Sequence, residues 1–506
     1  MKLKLLCDAA SIDCPEGAEE MEIASIEYDS RRVRRGAMFI CIRGLHCDGH
    51  AYIADAIAAG AVCILTERDA EPVQALGVVH LKASQTRVAM AYLYHAWYGY
   101  PDRQLKIIGV TGTNGKTSVT HMLRAILEAS LCRCGLIGTV GCESAGKPVR
   151  TQRQGSLANM TTPDPDVLYR ILAEMVRDGV EYVLMEVTSH ALALGKLAPI
   201  EFEAAVFTNL TPEHLDLHKT MDAYADAKAI LLSKARLSVI NLDSPYASRM
   251  LSAVRGRAVS CSLQRNADYM AETMESSDGG VQYILRSKRA SMRIQCPIPG
   301  SFTVMNSMQA AVCALELGIG ATTVKDSLSV LSGIRGRMER VRLGLGADIT
   351  VLIDYAHTPD ALQNLLRTAA QMRGAARRIV LLFGCGGDRD KGKRAVMGRI
   401  ACEGADCVIV TSDNSRTEDP HEIIAQILTG IDPQKAHTVI PDRAEAIRYA
   451  ILSSQSGDLI LLAGKGHEEY EITKEGRRPF YEKEIVQAAF AERRRRQNQT
   501  KTETEI

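Results

Sequence analysis

The sequence has no run of about 18 consecutive apolar residues, which excludes a transmembrane helix. Its N-terminus, MKLKLLCDAASIDCPEG, carries too short an apolar run for a signal peptide. Neither sign of charge dominates. With 61 Lys and Arg against 60 Asp and Glu, bulk composition gives no electrostatic reason to expect nucleic acid or an anionic membrane as partner. Metal-type cysteine spacing is missing as well. Of 14 cysteines, Cys132 and Cys134 form only a C-x-C, and Cys7, Cys41, Cys47, Cys63 and Cys385 lie among apolar or loop residues, as buried reduced thiols do. The expectation is a soluble, cytoplasmic monomer acting on small molecules. At 506 residues the chain is too long for one core and should divide into about three domains.

What is present is organised around LKIIGVTGTNGKTSVTHMLRAIL, residues 105–127. Ile107, Ile108 and Val110 predict a buried strand, and Val119, Met122, Leu123, Ile126 and Leu127 predict an apolar helix stripe. Between them Gly112 and Gly115 let backbone amides approach an anion, Lys116 supplies charge for outer phosphates, and Thr117 offers a hydroxyl to Mg²⁺. The general phosphate-loop pattern places glycine where this chain has Val110, so TGTNGKT is a variant of it.

In residues 1–98, YDSRRVRRGAMFIC predicts a strand at Ala37–Ile42, and RGLHCDGHAYIADAIAAGA predicts a loop before a helix at Ala51–Ala59. Hydroxyl, guanidinium and amide donors at such ends bind anions or sugars. Arg31, Arg32, Arg34 and Arg35 taken alone read as a solvated cluster. In residues 99–333, GVEYVLMEV and AAVFTNL predict strands of a parallel sheet buried on both faces. Glu186 emerges at a strand's carboxyl end beside Thr188, Ser189 and His190, and Thr208, Asn209 and His214 follow the next strand. Acidic and imidazole groups near Thr117 suit a divalent ion. Lys228 lies in a predicted helix with Tyr224, Ala227, Ile230 and Leu231 inward, and by itself reads as a snorkelling surface lysine.

From 334 onward, VLIDYAHTPDALQNLL, RIVLLFGCGGDRDKGKR, ADCVIVTSDNSRTEDP and DLILLAGKGHEEYE repeat strand, polar loop and helix. Asp354, His357, Arg389, Asp413, Asn414, Arg416, Gly464 and Glu468 then fall on the carboxyl rim of a Rossmann-like sheet. The charged tail after Phe490 is expected to be frayed and without function. The fold class is α/β in three domains. A smaller N-terminal α/β domain spans 1–98, a central ATP-binding parallel sheet of phosphate-loop type spans 99–333, and the Rossmann-like domain spans 334–506.

These ordered motifs, from Tyr28 to Glu468, resemble the Mur ligase and folylpolyglutamate synthase superfamily. The chain is similar to the Mur ligases that extend UDP-N-acetylmuramoyl-L-alanyl-D-glutamate. The resemblance implies an ATP-dependent ligase of peptidoglycan synthesis, in which an acyl phosphate on the D-glutamyl carboxylate is attacked by the amine of meso-diaminopimelate. It implies ATP contacts from Gly112, Thr113, Asn114, Gly115, Lys116, Thr117, Ser118, Asn306, Arg340, Asp354 and His357. The UDP-muramyl peptide would meet Ser30, His46, Thr161, Thr162, Thr188, Ser189 and Lys196, and diaminopimelate would meet Arg389, Asp413, Asn414, Arg416, Gly464 and Glu468.

The resemblance also implies catalysis by Lys116, Glu186, His214 and Lys228. Two Mg²⁺ ions would be held by Thr117, Glu186, His214 and Lys228, the last carbamylated by CO₂ into an anionic oxygen ligand. This chain departs from the family pattern at Lys196, commonly arginine, at Thr303, where relatives have asparagine after Phe302, and at Ser415, where relatives have proline. Other readings are a lysine-adding ligase, a regulatory ATPase that leaves the third-domain loops unexplained, and a nucleotide-sugar binder without catalysis.

Overall fold

The computed structural model describes residues 1–44, 47–69, 77–149, 160–277, 279–372 and 378–504. Its first sheet is four parallel strands, Ser25–Glu27, Ala37–Ile40, Ala61–Thr66 and Val79–Lys82. Helix Thr86–Trp97 follows and packs its apolar face toward helix Pro165–Arg177. Leu3, Leu6, Leu93, Leu172 and Phe202 belong to one continuous core, so the N-terminal and central regions are joined by buried apolar surface.

The central sheet has 11 strands. Its parallel middle runs Arg257–Ser262, Ala235–Asn241, Phe202–Phe207, Lys106–Thr111, Tyr182–Glu186 and Cys134–Gly138. The stretches 107–110, 183–185 and 204–207 are apolar and buried because both faces are covered. Ile107 and Val183 face one core, while Ile108 and Val110 face helices Lys116–Ala129 and Phe302–Glu316 across the sheet.

The last large sheet has six strands, in the order Glu339–Arg340, Thr350–Asp354, Leu459–Ala463, Ile379–Phe383, Cys407–Val410 and His437–Val439. All but the first run parallel, which brings the carboxyl ends of the other strands to one rim.

Two expectations are corrected. The tail is not frayed from Phe490: Glu482–Thr504 is a helix, and Arg493, only 4 % exposed, donates to both Asp348 carboxylate oxygens at 2.6 and 2.9 Å. In helix Met221–Ser233 the buried stripe runs through Tyr224, Lys228 and Leu231, whereas Ile230 is 39 % exposed. Lys228 therefore sits inside, at the i, i+4 and i+7 spacing of the apolar residues.

Candidate active site

Gly115 caps helix Lys116–Ala129 at φ 87°, and a Cβ there would stand 2.5 Å from Asn306 Oδ1. Only glycine lets the loop close against helix Phe302–Glu316. Lys116 folds back, its Nζ donating to the carbonyls of Gly112 at 2.9 Å and Thr113 at 2.8 Å. The next strand braces the loop: the Thr113 and Asn114 amides donate to Asn209, and Thr208 Oγ1 donates to Asn114 O at 2.6 Å. Ser118 lies buried in the same first turn. Val119, Met122, Leu123, Ile126 and Leu127 are fully buried beneath it, each stabilising by roughly 1.5–3 kcal/mol. The core thus fixes the loop.

Glu186 ends its strand 1 % exposed. Thr117 Oγ1 donates to its Oε2 at 3.0 Å, the Thr139 amide to Oε1 at 2.9 Å, and Thr139 Oγ1 to Oε2 at 2.9 Å. A hydroxyl beside a carboxylate at a parallel strand's carboxyl end fits Mg²⁺, which prefers hard oxygen ligands. Thr161 Oγ1 lies 3.0 Å from Thr139 Oγ1, and Thr162 Oγ1 donates to Glu186 O at 2.8 Å and accepts the Thr188 amide at 3.0 Å. Ser189 Oγ lies 3.0 Å from His218 Nε2, and Lys196 Nζ pairs with Asp164 Oδ1 at 2.7 Å.

Lys228 Nζ donates to Gly112 O at 2.9 Å and lies 4.6 Å from the Tyr224 ring centroid. Burial, and then Lys116, push its ammonium pKa well below the usual lysine range, against the pull of Glu213. Burial lowers Lys116 too. His214 has a left-handed φ of 57°, its ring 4.7 Å from that of His190 and its Nε2 3.6 Å from Glu213 Oε2. Glu213, which sequence reading did not single out, is the negative centre here. Burial alone would raise its carboxyl, but His357, His214 and Lys116 outweigh that and hold it below the usual carboxylate range. Among the described residues no three His, Cys, Asp or Glu side chains form a ready metal cage.

The third sheet reaches the same loop. Asp360 Oδ2 accepts Asn114 Nδ2 at 2.6 Å, and Arg337 Nη2 donates to Thr117 Oγ1 at 2.8 Å while its guanidinium lies 4.7 Å from the Tyr355 ring. His357 Nε2 is 3.7 Å from Glu213 Oε1. Asp354 accepts the Met338 amide at 2.8 Å, and burial raises its carboxyl. Of the two arginines in GRMER, Arg337 meets the phosphate loop, whereas exposed Arg340 donates to Thr350 Oγ1 at 3.3 Å.

On the third-domain rim Asp413 and Asn414 are buried, and Asn414 Nδ2 donates to Glu468 Oε2 at 2.7 Å. Burial and Asp413 raise the Glu468 carboxyl. Burial would raise Asp413 as well, but Lys465 and Arg443 outweigh it and lower the group. Arg416 Nη1 donates to Gly387 O at 2.7 Å and Asn414 O at 3.3 Å. Gly464 donates its amide to Asp354 O at 3.0 Å, and exposed Arg389 donates to Asp388 O at 3.0 Å.

In the N-terminal domain a cavity of about 430 Å³ is lined by Tyr28, Ser30, Arg31, Phe39, Cys47 and Tyr52, among others. His46 lies outside the described residues. Tyr28 OH connects this cavity to the central domain through Asp164 at 3.4 Å and Asp166 at 3.3 Å.

A phosphate loop on a parallel sheet, faced by a Rossmann-like rim and carried beside a small cavity-bearing domain, defines a three-domain nucleotide-dependent α/β enzyme. The profile of the Mur ligase family, catalytic domain, matches residues 22–98, that of the Mur ligase middle domain matches 110–314, and that of the Mur ligase glutamate ligase domain matches 336–466. The chain belongs to the Mur ligase family. A relative from Caldanaerobacter subterraneus, named UDP-N-acetylmuramoyl-L-alanyl-D-glutamate--2,6-diaminopimelate ligase, is 41% identical over 94% of this chain and 96% of its own. A protein of the same name from Clostridium botulinum is 39% identical over 93% of this chain and 96% of its own. A solved structure under that name, 31% identical, superposes with a TM-score of 0.67 over 98% of this chain and 100% of its own. No helix among the described residues is long and apolar enough to cross a membrane.

Proposed function

We propose that this enzyme joins meso-2,6-diaminopimelate to UDP-N-acetylmuramoyl-L-alanyl-D-glutamate in the cytoplasm, converting ATP to ADP and phosphate, as a monomer divided near residues 98 and 333. The observation that carries the reading is the enclosure of one phosphate loop. Thr117 and Glu186 meet on its own sheet, while Arg337 and Asp360 reach it from the domain whose rim holds Asp413, Asn414, Arg416 and Glu468.

An ionised carboxylate does not react with an amine, so the D-glutamyl side chain must first take the γ-phosphoryl group of ATP. Lys116 then releases its loop carbonyls and offsets charge on the transferring group. Mg²⁺, when bound, neutralises phosphoryl oxygens; Thr117 and Glu186 fit one ion, and Glu186, His214 and carbamylated Lys228 would hold the second. Burial supports the carbamate reading, because it lowers the Lys228 pKa and so favours the neutral amine, whose lone pair bonds to CO₂. Gly112, Thr113, Asn114, Gly115 and Ser118 cradle the phosphates, with Asn306, Asp354, His357 and Arg340 toward the nucleoside. Ser30 faces the uridine diphosphate. Thr161, Thr162, Thr188, Ser189 and Lys196 face the muramyl peptide, Lys196 exchanging Asp164 for a substrate anion. The amine attacks the acyl phosphate, the amide forms and phosphate leaves.

The test is a ligation assay with ATP and the muramyl dipeptide nucleotide, offering diaminopimelate, lysine, ornithine and D-alanyl-D-alanine in parallel. Product with diaminopimelate alone is expected. ATP turnover that needs neither amino acid nor nucleotide-sugar overturns the reading.

A further inference from the structure

We infer that Lys465 is a positioning residue of the amino-acid pocket: its buried ammonium fixes the Asn414 amide and so holds Glu468 for the ammonium group of the incoming amino acid. The inference rests on the functional reading above. Its first support is local geometry. Gly464 has φ 117°, and a Cβ there would stand 2.6 Å from Asp413 Oδ2; Gly466 has φ 55°, and its Cβ would meet Tyr355 Cβ at 2.7 Å. Backbone on both sides is therefore pressed against neighbours that only glycine tolerates. Lys465 between them turns inward and is 0 % exposed.

Its Nζ donates to Tyr470 O at 3.0 Å and Asn414 Oδ1 at 3.2 Å, and lies 3.9 Å from Asp413 Oδ1 and 5.4 Å from the Phe480 ring. The Ile472 amide donates to the same Asn414 Oδ1 at 2.8 Å. An ammonium and a backbone N–H can only donate. That end of Asn414 must be oxygen, so Nδ2 must face Glu468 Oε2, 2.7 Å away. Lys465 thus orients the amide that holds the carboxylate.

Charge gives the second support. Asp413 and Glu468 share this buried site, and His357, Tyr355 and Tyr470 also face Glu468. Two carboxylates in one desolvated site resist ionising together. Lys465 lowers both; Arg443 also lowers Asp413, while its hydrogen bonds go to Glu482 at 2.8 Å and to Ala463 O at 2.9 Å. Without Lys465 the two acids would take up a proton more readily. A neutral acid is a poorer partner for an ammonium group than a carboxylate is.

The experiment compares the full-length enzyme with Lys465→Met and with the double variant Asp413→Asn/Lys465→Met, in steady-state ligation of diaminopimelate from about pH 5.5 to about pH 9. Lys465→Met is expected to raise KM for diaminopimelate about tenfold or more and to move the acidic limb of kcat/KM upward by about one pH unit. KM for ATP stays within about twofold. Deleting one carboxylate as well returns the limb in the double variant, although KM stays raised. An unmoved limb, an unchanged diaminopimelate KM, or a loss spread equally over all substrates overturns the assignment. If the single variant does not fold, the double variant decides: a folded double with the unmutated limb supports the assignment, and an unfolded double overturns it. If the unmutated enzyme ligates no diaminopimelate, the functional reading fails first and this inference with it. If it does and the variants are silent, only Lys465 is misassigned.

Discussion

Asn114 and Asp360 stand 246 residues apart in the chain, yet Asn114 Nδ2 donates to Asp360 Oδ2 at 2.6 Å. The bond ties the phosphate loop directly to the first turn of helix Pro359–Met372 in the third domain. A net hydrogen bond contributes about 0.5–1.5 kcal/mol. Asp360→Ala is therefore expected to raise KM for ATP by about threefold to tenfold, with thermal unfolding of the protein little changed. An unaltered KM would show that this contact plays no part in nucleotide binding.

Lys116→Ala is expected to abolish ligation while the protein still folds. Among the described residues the lysine bonds only to loop carbonyls, so its removal takes away charge rather than packing. Loss of a group that stabilises developing charge typically lowers kcat by about 10²-fold or more. Ligation kinetics beside circular dichroism check this, and activity within about tenfold of the unmutated enzyme would sink the assignment.

Lys228→Ala is expected to be nearly inactive, with acetate restoring part of the turnover by supplying the missing oxygen ligand. Truncation of this buried side chain is expected to open space beside Gly112 O and the Tyr224 ring for a small carboxylate. Mass spectrometry of the active, Mg²⁺-bound protein provides the second readout. A plain amine on Lys228 there would remove the carbamate.

The phosphate loop, Glu186 and the third-domain rim were legible because each depends on a local rule: glycines before a helix, or a polar residue ending an apolar strand. Lys228 was legible as buried in principle, since it shares a helix stripe with Tyr224 and Leu231. Its type argued the opposite, and type misled. The choice between Arg337 and Arg340 lay beyond sequence rules. Met338 between them has φ 46°, so the chain reverses and sends one arginine to Thr117 and the other to an outer strand. Glu213 was hidden for the same reason, by the left-handed turn at His214 beside it. The tail helix is held by contacts distant in sequence, among them the Arg493 pair with Asp348, 145 residues away, and no window of sequence contains both.

Acid should loosen the third domain through Glu418. Arg394, 0 % exposed, donates to both Glu418 oxygens at 3.0 Å, and that bonding lowers the Glu418 pKa from its ordinary 4.5 to about 2, against the opposing effect of burial. A carboxyl depressed in the folded state contributes stability above its unfolded pKa, and that contribution is lost as pH falls. The loss should therefore run from about pH 4.5 down to about pH 2. Glu418→Gln is expected to be less stable at neutral pH, because it leaves a buried cation unpaired at a cost of about 3–5 kcal/mol, and to show a flatter acid dependence across that window. Denaturant midpoints at several pH values check it. Parallel acid curves for the two proteins would contradict the pairing.

Arg416 is expected to decide which amino acid is added. Meso-diaminopimelate differs from lysine by a carboxylate at the far end of its side chain, so a selective site needs a fixed cation there. Arg416 has a left-handed φ of 52°, and its amide donates to Ile472 O at 3.1 Å. Its two side-chain bonds, to Gly387 O at 2.7 Å and Asn414 O at 3.3 Å, both use Nη1. Among the described residues, the edge formed by Nε and Nη2 remains open to a carboxylate in the two-bond geometry that guanidinium favours. Ser415, where relatives have the stiffer proline, costs little rigidity, because Thr417 Oγ1 donates to Asp388 Oδ1 at 2.7 Å and the Gly387 amide to Asn414 O at 2.9 Å. Lysine in this pocket would leave the guanidinium edge unpaired, a mismatch that can discriminate by roughly 10⁴-fold. The unmutated enzyme is therefore expected to prefer diaminopimelate strongly, and Arg416→Ala to lose most of that preference while retaining its KM for ATP. Competition kinetics with both amino acids measure the ratio, and equal kcat/KM for lysine in the unmutated enzyme would refute the role given to Arg416.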